Sequence, residues 1–270
     1  MTSARAAKTM PRYSEPVGEA RELFMLKDEE ELTLPPAYSL VEVSPYTDAT
    51  SHALRLAGGG EAEDGTIVCS KRENVFDCAV VLSAEQPLEQ SALVVLVAVM
   101  ALADALSATS EPGTKVGYEW PNVVTANDRE IGKVDIHLPE GTTRADTPGW
   151  IVINPRIGIM GPPDGDARLK EAGTTLHFEG SYDTTPGQLL QSFGRYFLTW
   201  VNRWLDEGFK PIADSWSLRA TEARKDLQVT VEFGGEKVTG VLVGLDEFGG
   251  LILKPGRKRK TLGLLDALGL

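Results

Sequence analysis

Residues 115–138, KVGYEWPNVVTANDREIGKVDIHL, lie near the middle of the chain and are the most informative segment for the fold. Residues 115–119 have the composition of a strand, and residues 129–138 predict a second strand that returns beside the first. Residues 121–128 contain proline, asparagine and aspartate, which favour a turn. The sequence therefore predicts an antiparallel pair with Trp120-Pro121-Asn122 at its bend.

Upstream of this pair, short apolar strands alternate with two helices. The predicted strands are 38–43, 65–69 and 77–82, and the predicted helices are 47–57 and 87–107. The longest apolar run, residues 92–103, is shorter than the roughly 20 residues that cross a bilayer. We therefore expect a buried core helix there and no membrane partner.

Downstream of the pair, the pattern continues with one strand and two helices before it changes. We predict a strand at 150–159 with an interruption at Asn154-Pro155, and helices at 186–205 and 212–223. Beyond residue 225, short strands separated by glycine-rich turns are typical of a small β-barrel of SH3-like size.

The predicted fold class is therefore α+β. A mixed or antiparallel sheet with helices is followed by a small SH3-like β-barrel. The predicted boundaries are an N-terminal arm at 1–34, a main domain at 35–225 and a C-terminal domain at 226–270.

The charge balance limits the classes of partner. The chain has 39 acidic and 27 basic residues, which gives a formal net charge of −12, so a nucleic-acid partner is not expected. The basic run at residues 257–260 leaves two alternatives open, a solvated hairpin or a contact with nucleic acid or an acidic partner. The surplus lies before residue 226, where 33 acidic residues face 21 basic ones.

Cysteine and histidine usage gives no sign of a metal site or a disulfide framework. Cys69 and Cys78 are too few for a framework and are expected to be packed thiols. The three histidines have no metal-ligand spacing, so no metal site is predicted. The first residues have no apolar core behind their positive charges, and we therefore expect a cytoplasmic protein without a secretory signal.

Trp120-Pro121-Asn122, followed by a strand that begins Arg129-Glu130-Ile131, resembles the biotin protein ligase family of the biotin and lipoate protein ligase superfamily. That family carries Lys-Trp-Pro-Asn-Asp, a turn, and a strand of the type Arg-Lys-Leu-Ala-Gly-Ile. Residues 205–211 with Trp216, and residues 237–253, are similar to the later parts of the same family. The resemblance covers residues 36–270.

The resemblance implies ATP-dependent formation of an acyl-adenylate and transfer of the acyl group to a lysine of a carrier protein. In the family, a glycine/arginine loop, a strand lysine and the Trp-Pro-Asn-Asp segment serve this chemistry, and Mg²⁺ bridges the phosphates. The matching candidates are Lys133 as the catalytic residue and Trp120, Pro121, Asn122, Lys71, Arg72 and Arg156 as ligand-binding residues.

The sequence departs from the family at its charged positions. The lysine before the tryptophan is Glu119, the aspartate after the asparagine is Val123, and the strand lysine becomes Glu130 when counted without gaps. Lys133 points to the opposite face of a regular strand from Glu130, so it can substitute only if the strand shifts register or bulges.

Two further family features are altered. The link at residues 70–74 has no glycine, and only Asp48-Ala49-Thr50 represents the serine/threonine/asparagine signature of the first helix. The strand that should be glycine-rich is residues 153–158, where bulkier side chains would crowd a buried ligand.

Three functions remain open. The first is an active but divergent ligase that uses ATP, Mg²⁺ and biotin or lipoate. The second is a non-catalytic relative that binds a small carboxylate, a nucleotide or a carrier protein. The third is a scaffold whose pocket has closed. Glutamates in place of the family's lysines would repel the phosphates of ATP. Each such contact at about 4 Å costs about 4 kcal/mol at an effective dielectric of about 20, so weak ATP binding is expected. The oligomeric state is also open, with a homodimer paired through sheet edges as one alternative.

Overall fold

The computed structural model describes residues 32–162, 173–220 and 228–270, and a mixed sheet of seven strands forms its centre. The strands are β1 (Ser39–Val43), β2 (Thr66–Ser70), β3 (Val75–Leu82), β4 (Val116–Glu119), β5 (Val123–Ala126), β6 (Arg129–His137) and β7 (Ile151–Gly158). Their order across the sheet is β1-β2-β3-β7-β6-β5-β4. Only the β1–β2 pair is parallel, and every other pair in this sheet is antiparallel.

Helices cover both faces of this sheet. They are α1 (Ala49–Gly58), α2 (Leu88–Ser91), α3 (Val94–Thr109), α4 (Pro186–Glu207) and α5 (Phe209–Arg219). Helix α1 packs through Ala53 and Leu56 against Val68, Ala79 and Val152 of the sheet. We call this side of the sheet the α1 face, and α3 and α4 cover the other side.

Helix α3 lies in the core, as the apolar run predicted. The segment Leu88–Thr109 is long and apolar enough to cross a membrane by length and composition alone. However, 78% of the apolar 18-residue stretch within it is buried inside the fold. The predicted single helix is divided here into α2 and α3. Helix α4 begins at a capping box, in which the Thr185 side chain accepts from the Gln188 backbone and the Gln188 side chain accepts from Thr185.

The predicted turn at residues 121–128 is wrong, because half of it forms strand β5. Val123, Val124 and Thr125 are β-branched and suit a pleated, half-buried surface. The chain reverses instead at Asn127 and Asp128, whose φ angles of 51° and 63° lie in the left-handed region that asparagine and aspartate tolerate.

The predicted interruption of the strand at Asn154-Pro155 is also wrong, because β7 continues through both residues. The β3–β7 pairing has a gap at this point, where Pro155 has no backbone N–H to donate. The Asn154 side chain donates to the Cys78 carbonyl at 2.6 Å and supplies a bond between the two strands there. An amide side chain thus lets proline lie in a central strand.

The C-terminal part is a separate antiparallel sheet of four strands. It contains β8 (Gln228–Phe233), β9 (Glu236–Leu245), β10 (Leu251–Lys254) and β11 (Lys260–Leu262), followed by the short helix α6 (Leu264–Leu268). The order is β11-β10-β9-β8, and the predicted α+β class with a small C-terminal β-domain is confirmed. The basic residues 257–260 are exposed and lead into β11, which begins at Lys260.

Residues 34–270 form one compact unit that contains both sheets. The predicted N-terminal arm lies almost wholly outside the described residues, as does the predicted domain boundary near residue 225. Both boundaries stay predictions.

Candidate functional site

Strand β6 contains a bulge that changes which face its side chains share. Glu130 lies opposite Thr125 and Lys133 lies opposite Val123, so Ile131 is an extra residue between two regular pairs. Thr125 and Val123 are two apart on β5 and share one face, and Glu130 and Lys133 therefore share that face as well. The sequence required a bulge or a register shift before Lys133 could take the place of Glu130, and β6 contains such a bulge.

The bulge also depends on Gly132. A Cβ atom at this position would meet the backbone oxygen of Arg156 at 1.9 Å, so β6 and β7 approach too closely there for any other residue. Gly132 therefore fixes the register that places Lys133 opposite Arg156.

Five strands align their residues in one row across the α1 face. From β3 to β4 the row contains Asp77, Arg156, Lys133, Val123 and Glu119. Directly opposed residues of antiparallel strands have their side chains on the same face within contact range. The structure thus brings together the predicted residues Lys133 and Arg156 and the altered family positions Glu119 and Val123.

Arg156 is held between the sheet and the start of α1. Its guanidinium donates to Asp77 Oδ1 at 3.3 Å, to Asp48 Oδ2 at 3.4 Å and to Thr50 Oγ1 at 3.3 Å. The Asp77 side chain is fully buried and that of Arg156 is 16% exposed. The side chain that the sequence expected to crowd the pocket is therefore fixed by two carboxylates.

The same carboxylates order the first turn of α1. Asp48 is the N-cap residue, and its Oδ1 atom accepts from the Ser51 backbone at 2.8 Å while its Oδ2 atom contacts Arg156. Asp77 Oδ2 accepts from the Ala49 backbone at 3.4 Å, and Asn154 donates to Asp77 Oδ1 at 3.4 Å. Carboxylates near a helix N-terminus are favourable. The predicted helix signature at residues 48–50 thus takes part in the site.

Strand β6 adds two further polar groups to the α1 face. Lys133 Nζ lies 3.7 Å from the carboxylate of Asp135, and His137 follows two residues later on the same face. Burial lowers the pKa of His137; Arg156 lowers it further, while Asp135 and Asp48 oppose the decrease. The imidazole is therefore neutral near pH 7.

Acidic groups outnumber basic ones in the cross-strand row and the residues that contact or flank it. Five carboxylates, those of Asp48, Asp77, Glu119, Glu130 and Asp135, accompany the two cations Lys133 and Arg156. Partial burial, with a smaller contribution from Asp128, raises the pKa of Glu119. Thr125 Oγ1 is buried on the same face without a hydrogen-bond partner among the described residues.

Trp120, Pro121 and Asn122 form a turn between β4 and β5. The Trp120 indole is buried, donates to the Gly249 carbonyl of the C-terminal sheet at 2.9 Å and lies 6.5 Å from the Phe233 ring. Asn122 donates through its side chain to Val134 and accepts through its backbone from Val134. Pro121 follows a cis peptide bond. A contact of these residues with a ligand stays a prediction.

Lys71 and Arg72 lie in the short link between β2 and β3. Lys71 is exposed and forms an ion pair with Glu42 at 3.1 Å, and Arg72 is half-buried. The predicted binding of a ligand by Lys71 and Arg72 stays a prediction.

Sequence reasoning missed Asp77, Asp135 and His137. Asp77 had a usable signal, because a carboxylate inside the otherwise apolar strand Val75–Leu82 is rarely buried without a partner. Asp135 and His137 had none, since their face is set by the bulge at Ile131.

The described residues do not suit Mg²⁺ and a triphosphate. Within the described ranges no group of three His, Cys, Asp or Glu side chains could hold a metal ion. Val123 occupies the row where the resemblance implies a carboxylate, and the acidic side chains around it would repel phosphate oxygens.

Family models match most of the chain. Residues 34–218 match the model described as "Biotin/lipoate A/B protein ligase family", which is more than half of the sequence. The chain belongs to this family. Residues 228–262 of this family member match the model described as "Biotin protein ligase C terminal domain". The resemblance inferred from the tripeptide is confirmed.

Solved structures show the same fold. A biotin protein ligase-like protein of unknown function from Silicibacter sp. TM1040 is 24% identical with a TM-score of 0.76, covering 88% of this chain and 99% of that one. Biotin protein ligase from Aquifex aeolicus is 19% identical with a TM-score of 0.63, covering 83% and 95%. The same enzyme in complex with biotin and ATP is 18% identical with a TM-score of 0.63, covering 83% and 95%. A search of curated proteins finds no match to this sequence.

Proposed function

We propose that this family member binds a small carboxylic acid of the biotin or lipoate kind on the α1 face, and that ATP-dependent adenylation of this acid is lost or altered. The observation that carries the proposal is the cross-strand row from Asp77 to Glu119, with its two cations among carboxylates. The proposal places the ligand beside Lys133.

Charge decides between a carboxylate ligand and a triphosphate. A monocarboxylate needs one cation and a few hydrogen-bond donors, which Lys133 and the buried Thr125 hydroxyl can supply. A triphosphate brings several negative charges, and Arg156 is already held by Asp77 and Asp48. Each unscreened carboxylate–phosphate contact near about 4 Å costs about 4 kcal/mol at an effective dielectric of about 20. Binding of the acid without ATP is the result that this balance favours.

Calorimetric titration tests the proposal directly. Biotin and lipoate are titrated into the full chain with and without ATP and Mg²⁺, and one of the two acids is expected to bind equally well in both conditions. Lys133→Met is expected to weaken that binding at least about tenfold, the effect of losing a charge-assisted hydrogen bond. Lys254→Met, at the exposed end of β10, is the matched control and should leave that binding unchanged. Micromolar ATP affinity with formation of an acyl-adenylate would overturn the proposal.

A second candidate, an active divergent ligase, is favoured by the bulge at Ile131. The bulge brings Lys133 onto the face of Glu130, the position that aligns with the family's strand lysine. In this candidate Lys133 stabilises charge on the reacting acid and phosphate. Acid-dependent exchange of pyrophosphate into ATP, lost in Lys133→Met, would support an active ligase over a binding protein.

A further inference from the structure

A cleft of about 560 Å³ lies at the opposite end of β3 from the Asp77 row. Its wall includes Leu82 at the end of β3, Ile151 at the start of β7, and the junction of α4 and α5 at Gly208. Leu82 is five residues from Asp77, which corresponds to about 17 Å along a strand. The cleft is therefore distinct from the α1-face site, and a ligand of this cleft is independent of the proposed function.

The floor and mouth of the cleft are apolar and aromatic. Leu93 and Val94, at the start of α3, are buried beneath it. Three aromatic residues also line it, Trp204 and Phe209 at the helical junction and Phe248 in the turn between β9 and β10. Ligand sites of this size are commonly apolar clefts with a few polar groups at element junctions.

The charged residues that line the cleft all have the same sign. They are Asp64, Glu85 and Glu247, and no lysine, arginine or histidine lies among the described lining residues. Asp64 accepts a hydrogen bond from the Ser83 backbone at 2.6 Å. Within the described part of the chain, Glu85 and Glu247 form neither hydrogen bonds nor ion pairs.

We propose that this cleft binds a small organic ammonium ion with an apolar chain. The carboxylates of Glu85 and Glu247 complement the positive charge, and the faces of Trp204, Phe209 and Phe248 attract a cation through their π-electrons. The apolar chain lies on the leucine and valine floor. An anion of the same size would meet three carboxylates without a compensating cation.

Three probes of equal chain length test the sign of the charge. Hexyltrimethylammonium, hexanol and hexanoate are titrated into the full chain and followed by nuclear magnetic resonance of the tryptophan indole N–H groups. The ammonium ion is expected to bind at least about tenfold more tightly than hexanoate, with hexanol between them. Equal binding of the ammonium ion and hexanoate would overturn the proposal.

Variants then locate the site. The double variant Glu85→Gln/Glu247→Gln is expected to weaken ammonium binding about fivefold to tenfold, because two partly exposed charge contacts are lost. Glu140→Gln, an exposed glutamate outside the cleft, is the matched control and should have no effect. Lys133→Met should leave ammonium binding unchanged, which separates this cleft from the α1-face site. Unaltered binding in the double glutamine variant would contradict the assignment.

Discussion

Lys133 and Arg156 lie directly opposite each other on β6 and β7, with both side chains on the α1 face. Like charges at opposed positions destabilise a sheet unless nearby groups compensate them. Arg156 is compensated by Asp77 and Asp48, and Lys133 lies near Asp135. The acidity of this part of the sequence thus has a structural use, because it allows two cations to share a row of the sheet.

The Arg156–Asp77 pair is the contact whose loss should most affect stability. Arg156→Met leaves the fully buried Asp77 carboxylate without its guanidinium partner. We expect the free energy of unfolding to fall by about 3 kcal/mol, the usual cost of breaking a buried pair from one side. Urea titration followed by circular dichroism measures the change.

The double variant Arg156→Met/Asp77→Asn serves as the control for that result. It removes the buried charge together with its partner, so the loss should be smaller than the sum of the two single losses. Additive losses would show that the two side chains act independently.

Gly132 is expected to tolerate no side chain. In Gly132→Ala the new Cβ atom would overlap the Arg156 backbone oxygen, which cannot move without separating β6 from β7. The expected loss is about 3 kcal/mol in the free energy of unfolding. Gly58→Ala, at the end of α1 with no atom within 4 Å of the new Cβ, is the matched control. It should stabilise the protein by about 0.5 kcal/mol, and equal effects of the two alanines would contradict the bulge geometry.

The fold was predictable from sequence where local pattern and family motif agree. The strand at β3 and the helix α4 both follow from apolar spacing, and Trp120-Pro121-Asn122 identified the family. Strand β5 was hidden because Asn127 and Asp128 also fit the continuation of one long turn. In a segment as short as β5, the alternation of apolar and polar residues that indicates a strand cannot be separated from the residues that indicate a turn.

The site was less predictable, because its geometry depends on pairings between distant strands. The sequence could name Lys133 but could not place it on the α1 face, since a bulge of one residue reverses the facing of every later side chain. Arg156 has two carboxylate partners that are distant in sequence. Asp77 is 79 residues away and Asp48 is 108 residues away. The register of β3 with β7 brings Asp77 to Arg156, and the packing of α1 on the sheet brings Asp48 to it.

Alkaline pH should destabilise the fold through its two thiols. Burial, with a smaller effect of Asp77, raises the pKa of Cys69 from 9.0 to about 12, and burial also raises the pKa of Cys78. Above pH 9.0 the unfolded chain loses these protons while the folded chain keeps them, so stability falls between pH 9.0 and about 12. Urea titrations at about pH 8 and about pH 10 should differ by about 1.4 kcal/mol for each thiol, because about one pH unit of this interval lies above 9.0.

The variant Cys69→Ala/Cys78→Ala is the control for this slope. It loses packing at every pH, but its stability should change less between the same two pH values. Rapid modification of either thiol in the folded wild-type chain by a thiol reagent would contradict the burial that underlies the expectation.

His137 should titrate below its ordinary range. Burial lowers its pKa and Asp135 partly opposes this, so Asp135→Asn should lower the pKa further. Because unfolded histidine takes up a proton near pH 6.5, stability should decrease as the pH falls through this value. Nuclear magnetic resonance titration of the imidazole C–H signals measures the shift. Asp206→Asn, an exposed change on α4, is the matched control, and a rise in the His137 pKa in Asp135→Asn would contradict the site geometry.

Trp120 should stabilise the contact between the main sheet and the C-terminal sheet. In Trp120→Phe an aromatic ring remains beside Phe233, but the buried Gly249 carbonyl loses the indole N–H that donates to it at 2.9 Å. The expected loss is about 1–3 kcal/mol in the free energy of unfolding, the cost of a buried acceptor without its partner. Trp200→Phe, which removes an indole bond to the partly exposed Asp104, is the matched control and should cost less because water can replace the donor. Calorimetric titration of biotin and lipoate into Trp120→Phe tests the ligand contact that the family resemblance implies for Trp120. A stability unchanged from wild type would show that the Gly249 bond does not hold the two sheets together.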